Sequence, residues 1–173
     1  MISQRRALLL GALALIQGCA TQSEMQAAAP APSEGKLLAI RVEPCTDRTG
    51  TKSRDLAAEA TRLIVERLQK NPKFEVRDDA AVTLNCEVTH YVEGSAIKRW
   101  LMPGWGSTVG QISVMVSSAK DHSVIAIIQG NVTVSAGGLY TIGAENYILG
   151  SAADDVVSKL SVWAANPAPA EKQ

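Results

Sequence analysis

AVTLNCEVTHYVE, residues 81–93, is the stretch that decides the fold, because apolar and polar side chains alternate along it. Such alternation is typical of a β-strand that is buried on one face. Two more alternating segments follow at 108–119 and 123–135. The residues between them, Lys120-Asp121-His122, predict a hairpin turn that joins two neighbouring strands.

Helical periodicity flanks these strands on both sides. The best helix is predicted at 53–70, where Ser53 can cap the N-terminus and Asn71-Pro72 ends the pattern. A second helix is predicted to begin at Gly143 or later and to end at about Ala164. The apolar residues of the first helix fall on one face, and they are Leu56, Ala60, Leu63, Ile64 and Leu68.

The complete pattern predicts an α+β fold. Two short apolar runs, 36–42 and 73–77, add one strand before and one strand after the first helix. The element order is therefore β-α-β-β-β-β-α. This order favours one mainly antiparallel sheet of four to five strands, with two helices packed on one face.

The first nineteen residues indicate export. Arg5-Arg6 precedes an apolar run of ten residues, 7–16, and Gly18 stands directly before Cys19. The run is too short to span a bilayer, which takes roughly 20 residues. A small residue before a cysteine resembles the bacterial lipobox, in which the cysteine becomes the lipidated first residue. We therefore expect 1–18 to be a lipoprotein signal peptide and Cys19 to carry lipid.

We expect the mature chain to have three parts. Residues 19–35 are small, polar and interrupted by proline, which predicts the lipidated cysteine followed by a flexible linker. Residues 36–165 are predicted to form a single α+β domain of ordinary size. Residues 166–173 are similar in composition to the linker and predict a disordered tail.

Lipid on Cys19 would place the protein in the cell envelope, attached to a membrane. Ala20 stands where an aspartate is associated with retention at the inner membrane. We therefore expect the outer membrane, with the domain facing the periplasm. Arg5-Arg6 followed by Ala7-Leu8-Leu9 also fits a minimal twin-arginine pattern, so the export route stays open.

The charge of the chain argues against nucleic acid and against anionic lipid as partners. The full sequence has 17 basic and 17 acidic side chains. Removal of residues 1–18 takes away two arginines and no acid, which leaves 15 basic and 17 acidic side chains. No basic excess remains to neutralise a phosphate backbone.

The sequence predicts no catalytic, cofactor or metal site. His90 and His122 do not stand at a metal-ligand spacing with each other or with a cysteine. The glycine-rich stretch 104–110 is followed by a strand, whereas a dinucleotide-binding loop needs a helix there. No serine lies in a G-x-S-x-G motif. A hydrolase would have to assemble its site in space, for example from His90, Asp47 and a serine.

Cys45 and Cys86 are left as an even pair once Cys19 is assigned to lipid. In an oxidising compartment, such a pair favours a disulfide. The alternative is that Cys86 is a small buried hydrophobic residue, because it continues the alternating pattern of the 81–93 strand.

The loop 94–110 is the most unusual segment of the domain, because large apolar residues stand among glycines and a proline. One interpretation is that these side chains cap one end of the core. The other is an exposed patch for a protein partner or a membrane face, since tryptophan is favoured at both kinds of interface. The candidate residues are Arg99, Trp100, Leu101, Met102 and Trp105.

Several residues from the end of the 81–93 strand onward stand in an order that is found in a known family. They are Tyr91-Val92-Glu93-Gly94, Arg99, Gly104, Gly106, Gly110, Asp121 and Gly137-Gly138. Over roughly 36–164, this order resembles the bacterial lipoprotein family catalogued as domain of unknown function 4410. Members often have a glycine after the aspartate, which Asp121-His122-Ser123 lacks. The family has no assigned activity, so the resemblance implies an envelope lipoprotein and no catalytic residues. The β-α-β-β order is more distantly similar to lipoprotein activators of peptidoglycan synthases.

We interpret the chain as a membrane-anchored envelope lipoprotein. Its domain is predicted to be a non-catalytic module that binds or assembles with another envelope protein. The alternatives are an envelope hydrolase with a spatially assembled site, a regulator of a peptidoglycan synthase and a structural lipoprotein with no specific partner. We expect the membrane, through lipid on Cys19, and an unidentified protein as partners, with no cofactor and no metal.

Overall fold

The computed structural model describes residues 25–27, 31, 37–102, 105–135 and 142–166. Within these residues the chain forms seven strands and three helices. The elements are β1 Met25–Ala27, β2 Leu38–Val42, β3 Thr46–Asp47, α1 Leu56–Lys70, β4 Phe74–Val76, β5 Val82–Val92, α2 Ala96–Leu101, β6 Thr108–Ser118, β7 Val124–Val134 and α3 Ala144–Ala164.

The α+β class is confirmed, but the sheet is mixed and larger than predicted. Its order is β1-β7-β6-β5-β2-β4, and β3 pairs with β5 beside this path. The pairs β1–β7, β7–β6 and β6–β5 are antiparallel, whereas β2 is parallel to both β4 and β5. The prediction of a mainly antiparallel sheet was wrong because α1 lies between β2 and β4 in the chain. A helical crossover returns the chain to the end where it started, so the two strands run in parallel.

Three elements were not predicted. β1 lies in the expected flexible linker, where Met25–Ala27 pairs with Ile128, Ile127 and Ala126 of β7. Ala31, from the same expected linker, is buried. β3 lies in a segment that is rich in turn-forming residues, and α2 lies in the loop 94–110. The linker is therefore partly integrated into the domain.

The two long helices pack on one face of the sheet and against each other. α1 buries all five apolar residues that the sequence assigned to its inner face. Its N-cap is Asp55, whose carboxylate accepts a hydrogen bond from the Ala58 amide at 3.0 Å, and not Ser53. Among the described residues, no helix is both long enough and apolar enough to cross a membrane.

Two glycines allow α3 to approach the sheet closely. A Cβ atom on Gly130 of β7 would overlap the carbonyl oxygen of Ala152 and lie 2.7 Å from Val156 Cγ2. A Cβ on Gly110 of β6 would lie 3.1 Å from Ile148 Cγ1. The backbone of α3 therefore rests directly on these two strands, which hold its N-terminal half in place.

Candidate interaction surface

The segment between β5 and β6 folds back on itself around α2. Ser95 caps this helix by accepting a hydrogen bond from the Lys98 amide at 3.4 Å. The Ser95 amide donates to the carbonyl of Gly106 at 2.9 Å, which closes the segment at its base. Gly106 has a φ of +74°, and a Cβ there would lie 2.8 Å from the Lys98 Cβ. Glycine is therefore required at this turn, which places Trp105 beside the helix.

Large apolar side chains of this segment are exposed to solvent. We define the tryptophan patch as Ile97, Trp100, Leu101, Met102 and Trp105. Their exposed fractions run from 57% for Met102 and Trp105 to 73% for Ile97. The interpretation that these side chains cap the core is therefore wrong. Five large apolar side chains exposed within nine residues make this segment a candidate interaction site.

The tryptophan patch lies at one end of the sheet, where β5 ends, β6 begins and β7 ends. Val92 pairs with Val109, and Thr108 pairs with Val134, the last residue of β7. The Thr108 hydroxyl also donates to the carbonyl of Glu93 at 2.8 Å. The tryptophan patch therefore lies next to the ends of three neighbouring antiparallel strands, β5, β6 and β7.

Arg54 connects three elements at the same end of the domain through hydrogen bonds. Arg54 Nη1 donates to the Tyr91 hydroxyl at 2.8 Å and to the carbonyl of Glu145 at 2.6 Å. Its Nη2 binds both carboxylate oxygens of Glu59, at 2.6 and 2.7 Å. The Tyr91 hydroxyl donates to the Glu145 carbonyl as well, at 3.1 Å. These contacts join α1, β5 and the first turn of α3.

Burial raises the pKa of Tyr91 above its usual range, and the Arg54 guanidinium opposes that rise. A raised pKa in the folded state means that folding favours the neutral phenol. This contribution to stability is complete below the unfolded pKa of about 10 and is lost as the pH rises through the folded pKa. We therefore expect the unfolding free energy to fall more steeply above pH 10 in the wild type than in Tyr91→Phe.

Urea unfolding at a series of pH values measures this difference. Tyr147→Phe is the matched control, because Tyr147 is an exposed tyrosine on α3. Its alkaline profile should follow that of the wild type. Parallel profiles for the wild type and Tyr91→Phe would contradict a coupling between Tyr91 ionisation and folding.

The structure pairs Cys45 with Cys86 as a disulfide, with the two Cα atoms 4.5 Å apart. This separation lies within the range of natural disulfides. Both residues are buried, and the Cys45 amide donates to the Thr61 hydroxyl of α1 at 2.8 Å. The pair connects the segment before α1 to the middle of β5. Its oxidation in the mature protein stays a prediction.

The residues proposed for a hydrolase do not form a hydrogen-bonded group in the described part of the chain. Asp47 accepts a hydrogen bond from the Thr49 amide at 2.7 Å, and His90 is exposed near the end of β5. No hydrogen bond in that part joins the side chain of His90 to Asp47 or to a serine. No group of three or more potential metal ligands lies together among the described residues.

Several predicted residues have no described geometry. Cys19, Gly104 and Gly137-Gly138 lie outside the described residues. The backbone of Arg99 lies in α2, but its side chain is outside the description. Sequence reasoning missed Ile97, the most exposed apolar residue of the patch. A helical interpretation of 96–101 would have placed Ile97 and Trp100 three residues apart on one face.

Comparison with known proteins gives similarity of fold. No protein-family profile matches the chain, and no curated protein sequence matches it. The PelC dodecamer from Paraburkholderia phytofirmans aligns with a TM-score of 0.56 and 15% identity, over 80% of this chain and 96% of that chain. The hypothetical protein CT253 from Chlamydia trachomatis aligns with a TM-score of 0.51 and 12% identity, over 73% and 98%.

Lipoproteins are also among the structural neighbours. Lipoprotein GNA1162 from Neisseria meningitidis aligns with a TM-score of 0.43 and 11% identity, over 72% of this chain and 96% of that chain. A score of this size carries no argument about function. The comparisons therefore establish that the α+β fold occurs in other bacterial proteins, and the likeness to domain of unknown function 4410 stays a resemblance.

Proposed function

We propose that the protein is a lipid-anchored lipoprotein of the bacterial cell envelope, and that its domain is a non-catalytic interaction module. The observation that carries the proposal is the export signal that ends in Gly18-Cys19. The domain supports it with an exposed tryptophan patch, which is the kind of surface that a partner covers. Among the described residues, no hydrogen bond joins the side chain of His90 to Asp47 or to a serine.

Lipid on Cys19 holds the domain at the membrane surface, and Ala20 favours the outer membrane facing the periplasm. A single acyl chain binds a membrane only marginally, so stable attachment requires the several chains of a mature lipoprotein. The role of a peptidoglycan synthase regulator is a special case of the same proposal. No observation on the described surface favours that special case over another envelope partner.

Cys19→Ala should release the protein from the membrane fraction or leave it with an uncleaved signal, because the lipid attachment point is gone. Mass spectrometry of the wild type should find acyl chains on Cys19, and the protein should partition into detergent. Ala20→Asp is the matched control, since it keeps the cysteine and should move the lipidated protein to the inner membrane. A wild-type protein that is soluble in the periplasm with an unmodified Cys19 would overturn the proposal.

A further inference from the structure

The direction of β1 shows where the chain leaves the domain toward Cys19. β1 is antiparallel to β7, with Met25 opposite Ile128 and Ala27 opposite Ala126. Toward its N-terminal end, β1 therefore runs in the direction of higher residue numbers on β7. That direction leads to Val134 and to the end of the sheet that bears the tryptophan patch.

The length of chain between Cys19 and β1 matches the distance from β1 to the patch end of the sheet. Val134 lies six positions beyond Ile128, which is about 20 Å along a strand. Cys19 lies six positions before Met25, and this length of chain can span at most about 20 Å. A lipid on Cys19 can therefore reach the patch end of the sheet, which is the end toward which the N-terminal end of β1 points.

The composition of the tryptophan patch suits a lipid surface. Tryptophan is enriched at membrane–water interfaces, where its apolar ring and its N–H group are both satisfied. Lys98 is exposed on α2, so one cation lies on the same short helix as the apolar side chains. The mature chain has no basic excess, so we expect the apolar side chains, and not charge, to supply the attraction to the membrane.

We propose that the tryptophan patch inserts into the headgroup region of the membrane that holds the anchor. The proposal rests on the lipid anchor of the proposed function and names the partner of the patch. The anchor keeps the patch at a high effective concentration next to the bilayer, so that a weak surface contact is occupied. Together, the lipid and the patch fix which end of the sheet faces the membrane.

The three tryptophans of the chain make the contact measurable. Trp100 and Trp105 lie in the patch, whereas Trp163 is buried in the core with 2% exposed. The lipidated protein is reconstituted into vesicles of phosphatidylethanolamine and phosphatidylglycerol that contain brominated phosphatidylcholine. We expect the brominated lipid to abolish most of the emission of Trp100 and Trp105. Trp100→Phe/Trp105→Phe, which keeps only Trp163, should show no quenching.

A control tryptophan at the other end of the domain tests orientation. Val162 is exposed in the last turn of α3, next to Ser161, whose carbonyl accepts from Lys73 at 3.1 Å. Lys73 directly precedes β4, which is parallel to β2, and β2 is parallel to β5. Val162 therefore lies at the sheet end opposite the patch. Val162→Trp in the Trp100→Phe/Trp105→Phe background should not be quenched.

The outcomes separate the two proposals. The protein could float with the vesicles and carry acyl chains on Cys19 while Trp100 and Trp105 are not quenched. That result would overturn the lipid contact and leave the proposed function intact. A photo-crosslinker at position 105 that captures an envelope protein in cells, together with unquenched tryptophans, would overturn it in favour of a protein interface. Equal quenching at positions 105 and 162 would overturn the fixed orientation. Failure to float with an unmodified Cys19 would overturn both proposals.

Discussion

Gly130→Val is expected to lower the unfolding free energy by about 3 kcal/mol or more, at the upper end of the usual cost of overpacking. The backbone of α3 occupies the space that a side chain at Gly130 would need. The first added atom would overlap the Ala152 carbonyl oxygen, which is a main-chain atom and cannot turn aside like a flexible side chain. The helix would have to move off the sheet.

Urea or thermal unfolding followed by circular dichroism measures the loss. Gly110→Ala should cost less, because its Cβ would lie 3.1 Å from both the side chain and the carbonyl oxygen of Ile148, so a shift of a few tenths of an ångström would accommodate it. Thr133→Val is the matched control, since it adds no bulk at an exposed position of the same strand. If Gly130→Val unfolds like the wild type, α3 does not rest on β7 as described.

Cys45→Ala/Cys86→Ala is expected to lower the unfolding free energy by about 4 kcal/mol in the chain-entropy picture. The bond closes a loop between residues 41 positions apart, which restricts the unfolded chain. Denaturant unfolding with and without reductant should show the same loss in the wild type and none in the double variant. The double variant is therefore its own control for effects of the reductant.

Thiol labelling of the unfolded and unreduced mature protein checks the bond directly. Lipidated Cys19 has no free thiol, so an intact disulfide leaves the protein unlabelled. Two alkylated cysteines in the wild type would show that Cys45 and Cys86 are reduced. In that case, the stability difference between the wild type and the double variant should also be small.

The sequence predicted the strands and helices in which the spacing of apolar side chains indicates the buried face. Alternation along 81–93 identified β5, and the apolar face of 53–70 identified the buried residues of α1. β1 and β3 were not predicted because strands of three and two residues are too short to show an alternation of apolar and polar side chains. The parallel pairing of β2 was not predicted because it depends on the crossover through α1, and no local sequence pattern indicates the direction of a crossover.

Four of the five residues of the tryptophan patch were named from the sequence, whereas Ile97 and the helical conformation of α2 were not. Tryptophan, leucine and methionine next to proline and glycine drew attention to the loop 94–110, but that composition also suggested irregular structure. α2 is a short helix whose large side chains are exposed, so the usual link between apolar periodicity and burial is reversed. The proposed place of the patch at the membrane end of the sheet depends on the register of β1, which no sequence pattern indicated.

β1 also gives the proposed attachment through Cys19 two lengths. While Met25–Ala27 stays paired, only the residues from Cys19 to Met25 can act as a leash, with a reach of about 20 Å. Only three residue pairs hold β1 against β7, so a pull on the domain loads this short strand first. Once it peels away, the leash extends to Ala31, which is buried in the core, and its reach rises to about 40 Å. The protein thus carries a stored length of chain that tension can release without unfolding the rest of the sheet.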